Sequence, residues 1–381
     1  AIEAATDGDV ICVESGTYFE NIDFQGAAVT LMGDGPLSAI IDGGGLDSVV
    51  TFNSGEGASS QLEGFTLTNG SASIGGGGVN IFAAAPTLVN LVISGSSAKN
   101  GGGIQLDESA AALTNLVISA NTATSHGGGM AIWDSAAVTA SNITIWGNSA
   151  GEYGGGLALY SGNLFASSNN TFTDNQGNNG GAISVVEIKE VEVKGSLFCH
   201  NTASANGGGA RVSDSGSTSN YWRNNIFAEN AATNDGGAIA HQQSTNFIVY
   251  NNHFIGNSSA TGGSIRAVDS TVEFVNNIVA FTTSGDGLSS NTTTGNTIDY
   301  NDFYNNLTAD LGGGLTSGHL GTGNITDDPL LTTYSANGDC SDDLFWPDDT
   351  STTIDAGDPT INDTDGTRSD IGSYGGPDAN V

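Results

Sequence analysis

Positive charge is scarce in this sequence. Seven Lys and Arg residues stand against 41 Asp and Glu in 381 residues, a formal net charge of −34. A field of that sign repels a phosphate backbone, which excludes nucleic acid as a partner and disfavours anionic membrane surfaces. Long apolar runs are absent too. No stretch approaches the roughly 20 residues of a transmembrane helix, so direct membrane insertion is not expected. The three cysteines, Cys12, Cys199 and Cys340, lie far apart and form no metal-spaced cluster. Cys199 falls on a strand and is read as a small buried or semi-buried hydrophobe; one disulfide is allowed, its pairing open. The opening AIEAATDGDVICV is expected to be that of a mature or trimmed product.

Charged residues make up only 13 % of the chain against about 25 % in ordinary globular domains, while glycine reaches 57 residues. Collagen is excluded because glycine does not recur at every third position. Disorder is excluded because Val, Ile, Leu and Phe return in regular blocks. A repeat array remains.

The repeat is visible once glycine clusters are aligned: GGGVNI from Gly76, GGGIQL from Gly101, GGGMAI from Gly127, GGGLAL from Gly154, GGAISV from Gly180, GGGARV from Gly207, GGAIAH from Gly236 and GGSIRA from Gly262. The residues after the glycines, Val79, Ile104, Met130, Leu157, Ile183, Ala210, Ile239 and Ile265, are spaced by 25, 26, 27, 26, 27, 29 and 26. A large apolar residue followed three positions later by asparagine precedes the clusters: Ile118/Asn121, Ile145/Asn148, Phe172/Asn175, Phe198/Asn201, Phe227/Asn230 and Phe254/Asn257. A further asparagine column runs through Asn90, Asn115, Asn142, Asn169, Asn224 and Asn251.

The segment after each glycine cluster alternates as a strand does, with positions 0 and +2 inward and +1 outward. Stacking one repeat on the next at about 4.8 Å superposes equal positions, so both asparagine columns are expected to form amide ladders at buried turns. The usual crossover sense makes the coil right-handed. The fold expected is therefore all-β: a single-stranded right-handed parallel β-helix, a solenoid of about a dozen coils, with residues 61–310 as the repeats.

The pairing of GGA[I/L/V] with FxxN resembles the repeat of chlamydial polymorphic outer-membrane proteins and related bacterial surface proteins, over roughly residues 65–310. The resemblance implies a β-helical, adhesive segment, secreted or at the bacterial cell surface; the sequence departs from it in reading GGG at many repeats. Residues 1–60 lack the asparagine ladder and resemble the first coils of secreted pectate-lyase-like proteins, with AIEAA as a short helical plug in an N-terminal cap. Residues 311–381, containing DDPLL and DIGSYGGP, resemble the terminal segment of secreted bacterial β-helix proteins and are read as C-terminal coils and cap. Such caps cover the open ends of solenoids.

Several residues carry possible chemistry. Asp363, Asp365 and Asp370 flank the turn at Gly366, an arrangement that offers oxygens to Ca2+; the competing reading is an Asx turn with Arg368 neutralising the carboxylates. An acidic column follows the glycine-led strands at +4, through Glu108, Asp134, Glu187, Asp214 and Asp269, read as a solvated turn edge. Trp133 and Tyr160 share the +3 position on successive coils and form a candidate platform for sugar faces. Five of the seven bases, Lys189, Lys194, Arg211, Arg223 and Arg266, lie between 189 and 266. Arg211 and Arg266 share the outward +1 position with Ala240 between. A polysaccharide lyase would take such an Arg, or a Lys, as base beside Glu187, Asp214, His241 or Asp269. His241, at an inward position, reads as a core histidine. The remaining +1 residues, Asn80, Gln105, Ala131, Ala158, Ser184 and Ala240, suggest a flat face of small residues.

A flat face suits adhesion or lateral packing better than enclosing a substrate. The expected function is an extracellular non-catalytic surface adhesin or self-assembling stalk or fibre, its partners other copies of itself or extracellular polysaccharide. The alternative is a lyase or hydrolase acting on an acidic polysaccharide.

Overall fold

The computed structural model describes residues 1–134, 137–213, 219–243 and 246–379. It is an all-β parallel solenoid of the right-handed β-helix class, with two short 3-10 turns at Ile2–Ala4 and Ser317–His319 as the helical elements described. No described helix is long and apolar enough to cross a membrane. Two compact units are present, Ala1–Asn178 and Asn179–Val381.

In the first unit Val50–Phe52 and the glycine-led strands Val79–Phe82, Ile104–Asp107, Met130–Trp133 and Leu157–Ser168 stack in parallel, with Val79, Ile104, Met130 and Leu157 superposed. Positions 0 and +2 fill the interior: Val79 and Ile81, Ile104 and Leu106, Met130 and Ile132, Leu157 and Leu159 are all buried. In the second unit Ile183–Lys194, Ala210–Ser213, Ile239–Gln242 and Ile265–Val268 repeat the arrangement. Rings stack on rings inside it, Phe198 on Phe227 at 4.4 Å and Phe227 on Phe254 at 5.2 Å between centroids.

Burying a polar side chain at a repeated position is tolerable only if it can bond to its own image. Asparagine does this because its amide both donates and accepts. Asn121 Nδ2 donates to Asn148 Oδ1, and Asn148 Nδ2 to Asn175 Oδ1, each at 3.1 Å. The backbone N–H of Asn121 and of Asn148 donates to the same oxygens. The other amide hydrogens go to the carbonyls of Ile93 and Ile118. In the second unit Asn201 donates to Asn230 at 2.9 Å and Asn230 to Asn257 at 3.0 Å.

The other asparagine column differs from expectation by one residue. Asn90, Asn115, Asn142 and Asn169 are exposed corner residues at φ of +50° to +56°. Asparagine suits that left-handed region better than other residues with a Cβ. The ladder lies one position later, running Asn225, Asn252, Asn277, Asn301 and Asn324 in the second unit with Nδ2-to-Oδ1 distances of 3.0–3.1 Å.

The two terminal segments do not behave as simple plugs. Ile2–Ala4 buries no residue, and a cavity of about 660 Å³ lies between it and the first coils, bordered by Ile11, Cys12, Val13, Ile22, Leu31 and Ile41. The C-terminal segment runs back along the side of the second unit. Cys340 is disulfide-bonded to Cys199 across 141 residues of sequence, so Cys199 is a tether rather than a free hydrophobe. Phe345 and Ile371 pack on the outward-facing Cys199, Ala228, Ile255 and Ala280. Corner amides are bonded as well: Asn224 Nδ2 to the carbonyls of Ser373 and Gly375, Asn251 Nδ2 to Asp370 O, and Asn276 Nδ2 to Ser369 Oγ.

Two outcomes follow for stability. Asn148→Ala strands a buried amide above and another below, and is expected to cost about 2–4 kcal/mol in a denaturant titration. Cys340→Ser is expected to cost about 2–5 kcal/mol and, on limited proteolysis, to render residues 329–379 the first to be cleaved.

Candidate functional site

The tight glycine turn decides the site's geometry. Gly127 sits at φ +64°, where a Cβ would lie 2.1 Å from Met130 O. The chain therefore doubles back, and the residues before the glycines stand over the strand that follows them. The face expected to be flat is a groove. Its floor is the +1 column, where Ala131 and Ala158 are 0 % exposed and Gln105 8 %. One wall is Asn100, His126 and Tyr153, bridged coil to coil. The other is the +3 column of Phe82, Asp107, Trp133 and Tyr160.

Four rings line this groove in the first unit. Trp133 and Tyr160 stack with centroids 4.5 Å apart and planes within 15°. His126 faces both, at 5.4 Å from Trp133 and 5.1 Å from Tyr160. Tyr153 meets Tyr160 edge-on at 5.9 Å. Glu152 Oε2 accepts from Ser125 Oγ at 3.0 Å and lies 3.6 Å from His126 Nδ1. Burial lowers the His126 pKa against the opposing pull of Glu152. One coil before Trp133, Asp107 borders a cleft of about 300 Å³ with Asn80, Phe82 and Gln105. Its pKa is raised by burial and then by the charges of Asp134 and Glu108. Aromatic faces beside hydrogen-bonding amides and a carboxylate can hold a sugar ring by its apolar face and its hydroxyls. Trp133 and Tyr160 were legible at their shared position. His126 and Tyr153 were not, because each precedes a glycine cluster and only the turn brings it across.

The same floor in the second unit carries Ser184, Arg211, Ala240, Arg266 and Ser289. Arg211 Nη1 donates to Ser213 Oγ at 2.8 Å and Arg266 Nη1 to Ser289 Oγ at 3.0 Å. Glu187 and Asp269 occupy exposed corners at φ +57° and +52°; Asp214 lies outside the described residues. His241 is fully buried, stacked on Phe247 at 4.1 Å and bonded to Ser270 Oγ at 3.1 Å, which removes it from any catalytic group. The structure thus brings the two arginines into one groove and does not place Glu187 or Asp269 on its floor.

In the Gly366 loop the carboxylates are engaged by the backbone. Asp365 Oδ1 accepts the Thr367 amide, Asp363 Oδ2 the Asp370 amide and Asp370 Oδ1 the Asp355 amide, at 2.7–3.0 Å. Arg368 is directed not at these carboxylates but at the Ala356 and Gly357 carbonyls. Among the described residues no group of three or more His, Cys, Asp or Glu is poised to hold a metal.

A family model described as "Right handed beta helix region" matches residues 49–227. The fold and this match, which spans a little less than half of the chain, support a right-handed β-helix repeat protein. No curated protein matches the chain.

Two buried histidines set an acid limit. His241 and His253 both have pKa values pulled down to about 3 by burial, and His253 Nδ1 accepts the Ser373 amide at 2.9 Å, a bond that a protonated ring cannot accept. The unfolded chain takes up these protons near pH 6.5. Their contribution is therefore full above that value, falls as pH drops through the window, and is gone near pH 3. Each is expected to tilt stability by up to about 1.4 kcal/mol per pH unit within it. Melting temperatures from pH 7 to 4 check this, and His253→Gln should flatten the slope.

Proposed function

We propose that this protein is an extracellular, non-catalytic β-helix adhesin that holds polysaccharide along the aromatic groove of its first unit. The observation that carries this reading is the stacked pair Trp133 and Tyr160, flanked by His126 and Tyr153 over a floor of small residues. A sugar chain laid in the groove would place ring faces on the aromatics and hydroxyls on Asn80, Gln105, Asp107 and Glu152. The Cys199–Cys340 disulfide supports secretion into an oxidising compartment or display at a cell surface. The experiment is a glycan array followed by calorimetry on the best ligand. Trp133→Ala is expected to weaken binding about tenfold, about 1.4 kcal/mol of lost ring contact, without lowering the melting temperature by more than a few degrees. Retained affinity in Trp133→Ala with Tyr160→Ala would remove the groove from consideration.

A second reading rests on Arg211 and Arg266. Guanidinium groups two coils apart suit the carboxylates of an acidic polysaccharide, and lyase chemistry there would require Arg211 as the base. Screening acidic polysaccharides for the absorbance of unsaturated products separates the readings. The adhesin predicts binding with no product; product that disappears in Arg211→Ala would establish the lyase.

A further inference from the structure

One wall of the first-unit groove is breached at a single coil. Its column reads Gly75, Asn100, His126 and Tyr153 along the stack, so at Gly75 the wall has no side chain. The cleft of about 300 Å³ opens there, between Ile74 and Gly75 on one side and Phe82 and Asp107 on the other. Gln105 lies on its floor, 8 % exposed, and its Oε1 has no hydrogen-bond partner. A Cβ at Gly75 would overlap that oxygen, so the open acceptor lies at the breach itself. In the next coil of the wall, Asn100 Oδ1 is likewise buried without a partner. A buried acceptor left open costs free energy that a donor from a ligand would recover.

The surroundings of these acceptors are negative and aromatic. In the facing wall Asp107 stands between Phe82 and Trp133, one coil from each, and Phe82 is exposed. Trp133 stacks on Tyr160 at 4.5 Å with planes within 15°, close to the coil spacing of about 4.8 Å. Its ring therefore lies across the stack and turns its other face toward the coil of Asp107. Burial raises the Asp107 pKa, and the like charges of Asp134 and Glu108 raise it further. Asp47 borders the cleft as well. Against these acids the first unit has Lys99 as its single Lys or Arg, and that residue is exposed. A neutral hydroxyl would satisfy one acceptor and leave the accumulated charge, while an acidic sugar would add to it. An ammonium group donates three hydrogens, offsets the carboxylate and is attracted to the face of an aromatic ring.

We propose that this cleft is the subsite for an amino sugar, its ammonium seated against Asp107 and Gln105 Oε1. The inference rests on the reading of the groove as a polysaccharide site and narrows the polymer to one carrying free amines. Neighbouring sugars of the same chain then continue along the wall onto Trp133 and Tyr160.

The test is calorimetry on the full chain in mildly acidic, low-salt buffer, where sugar amines are protonated. The probes are β-1,4-linked hexamers of glucosamine, N-acetylglucosamine and glucose, and hexalysine. The glucosamine hexamer is expected to bind at least about tenfold tighter than the other three, and added salt should weaken it alone among the sugars. Asp107→Asn keeps the shape of the wall and should erase that preference, with the melting temperature and the affinity for the glucose hexamer unchanged. A preference that survives Asp107→Asn overturns the proposal. Glucose or N-acetylglucosamine binding as tightly as glucosamine also overturns it, yet leaves the aromatic groove standing if Trp133→Ala removes that binding. Hexalysine binding as tightly overturns the sugar in favour of a basic peptide. Silence from all three sugars overturns the inference too, and a blank glycan array alongside ends the reading of the groove beneath it.

Discussion

Parallel in-register stacking governs this molecule. With strands about 4.8 Å apart and each position lying over its equivalent, any property placed at an inward site is repeated along the unit. Apolar residues then accumulate into a continuous core, and like charges accumulate into repulsion. Asparagine is the polar residue that escapes this penalty, since its amide accepts from the coil on one side and donates to the coil on the other. The ladders through Asn148 and Asn252 are that solution at two different corners. Glycine solves the third corner, where a Cβ has no room.

The glycine corner has a chemical consequence. Doubling the chain back over the following strand makes a concave groove whose floor must be small, as at Ala131, Ala158 and Ala240. Its walls are free to vary. Rings occupy both walls in the first unit, so a column of single aromatics becomes a cluster of four. In the second unit the floor itself admits arginine at Arg211 and Arg266, each leaning on a serine hydroxyl. One backbone solution thus supports two surfaces of different chemistry, and the stacked rings are the better built for sugar.

The C-terminal segment changes what the outer column of the second unit can be. In the first unit the residues after the inward Ile118 and Phe172 are Ser119 and Thr173; in the second, those after Phe198, Phe227, Phe254 and Val279 are Cys199, Ala228, Ile255 and Ala280. The apolar column exists because Phe345 and Ile371 cover it. The neighbouring column, covered by the same segment, then carries two ionisable groups out of water, His253 and Asp302. Burial disfavours the charged form of each, so the two respond in opposite directions to pH: His253 resists protonation and Asp302 resists deprotonation. The attachment of this segment is accordingly the part of the structure most responsive to acid and reductant.

Periodicity alone determined the right-handed parallel β-helix, the inward positions of each glycine-led strand, the ladder through Asn121, Asn148 and Asn175, and the shared column of Trp133 and Tyr160. These are local properties repeated every 25 to 29 residues, and repetition makes them legible. The second ladder was misread by one residue because adjacent asparagines such as Asn224 and Asn225 look alike, and only the backbone dihedrals separate corner from interior. Tertiary structure alone decided the groove, the partners of Trp133, the Cys199–Cys340 pairing and the burial of Asp302. Each joins residues outside the repeat's own period, or depends on how sharply a glycine turn closes. A one-dimensional pattern records which residues superpose; it holds no record of what folds across them.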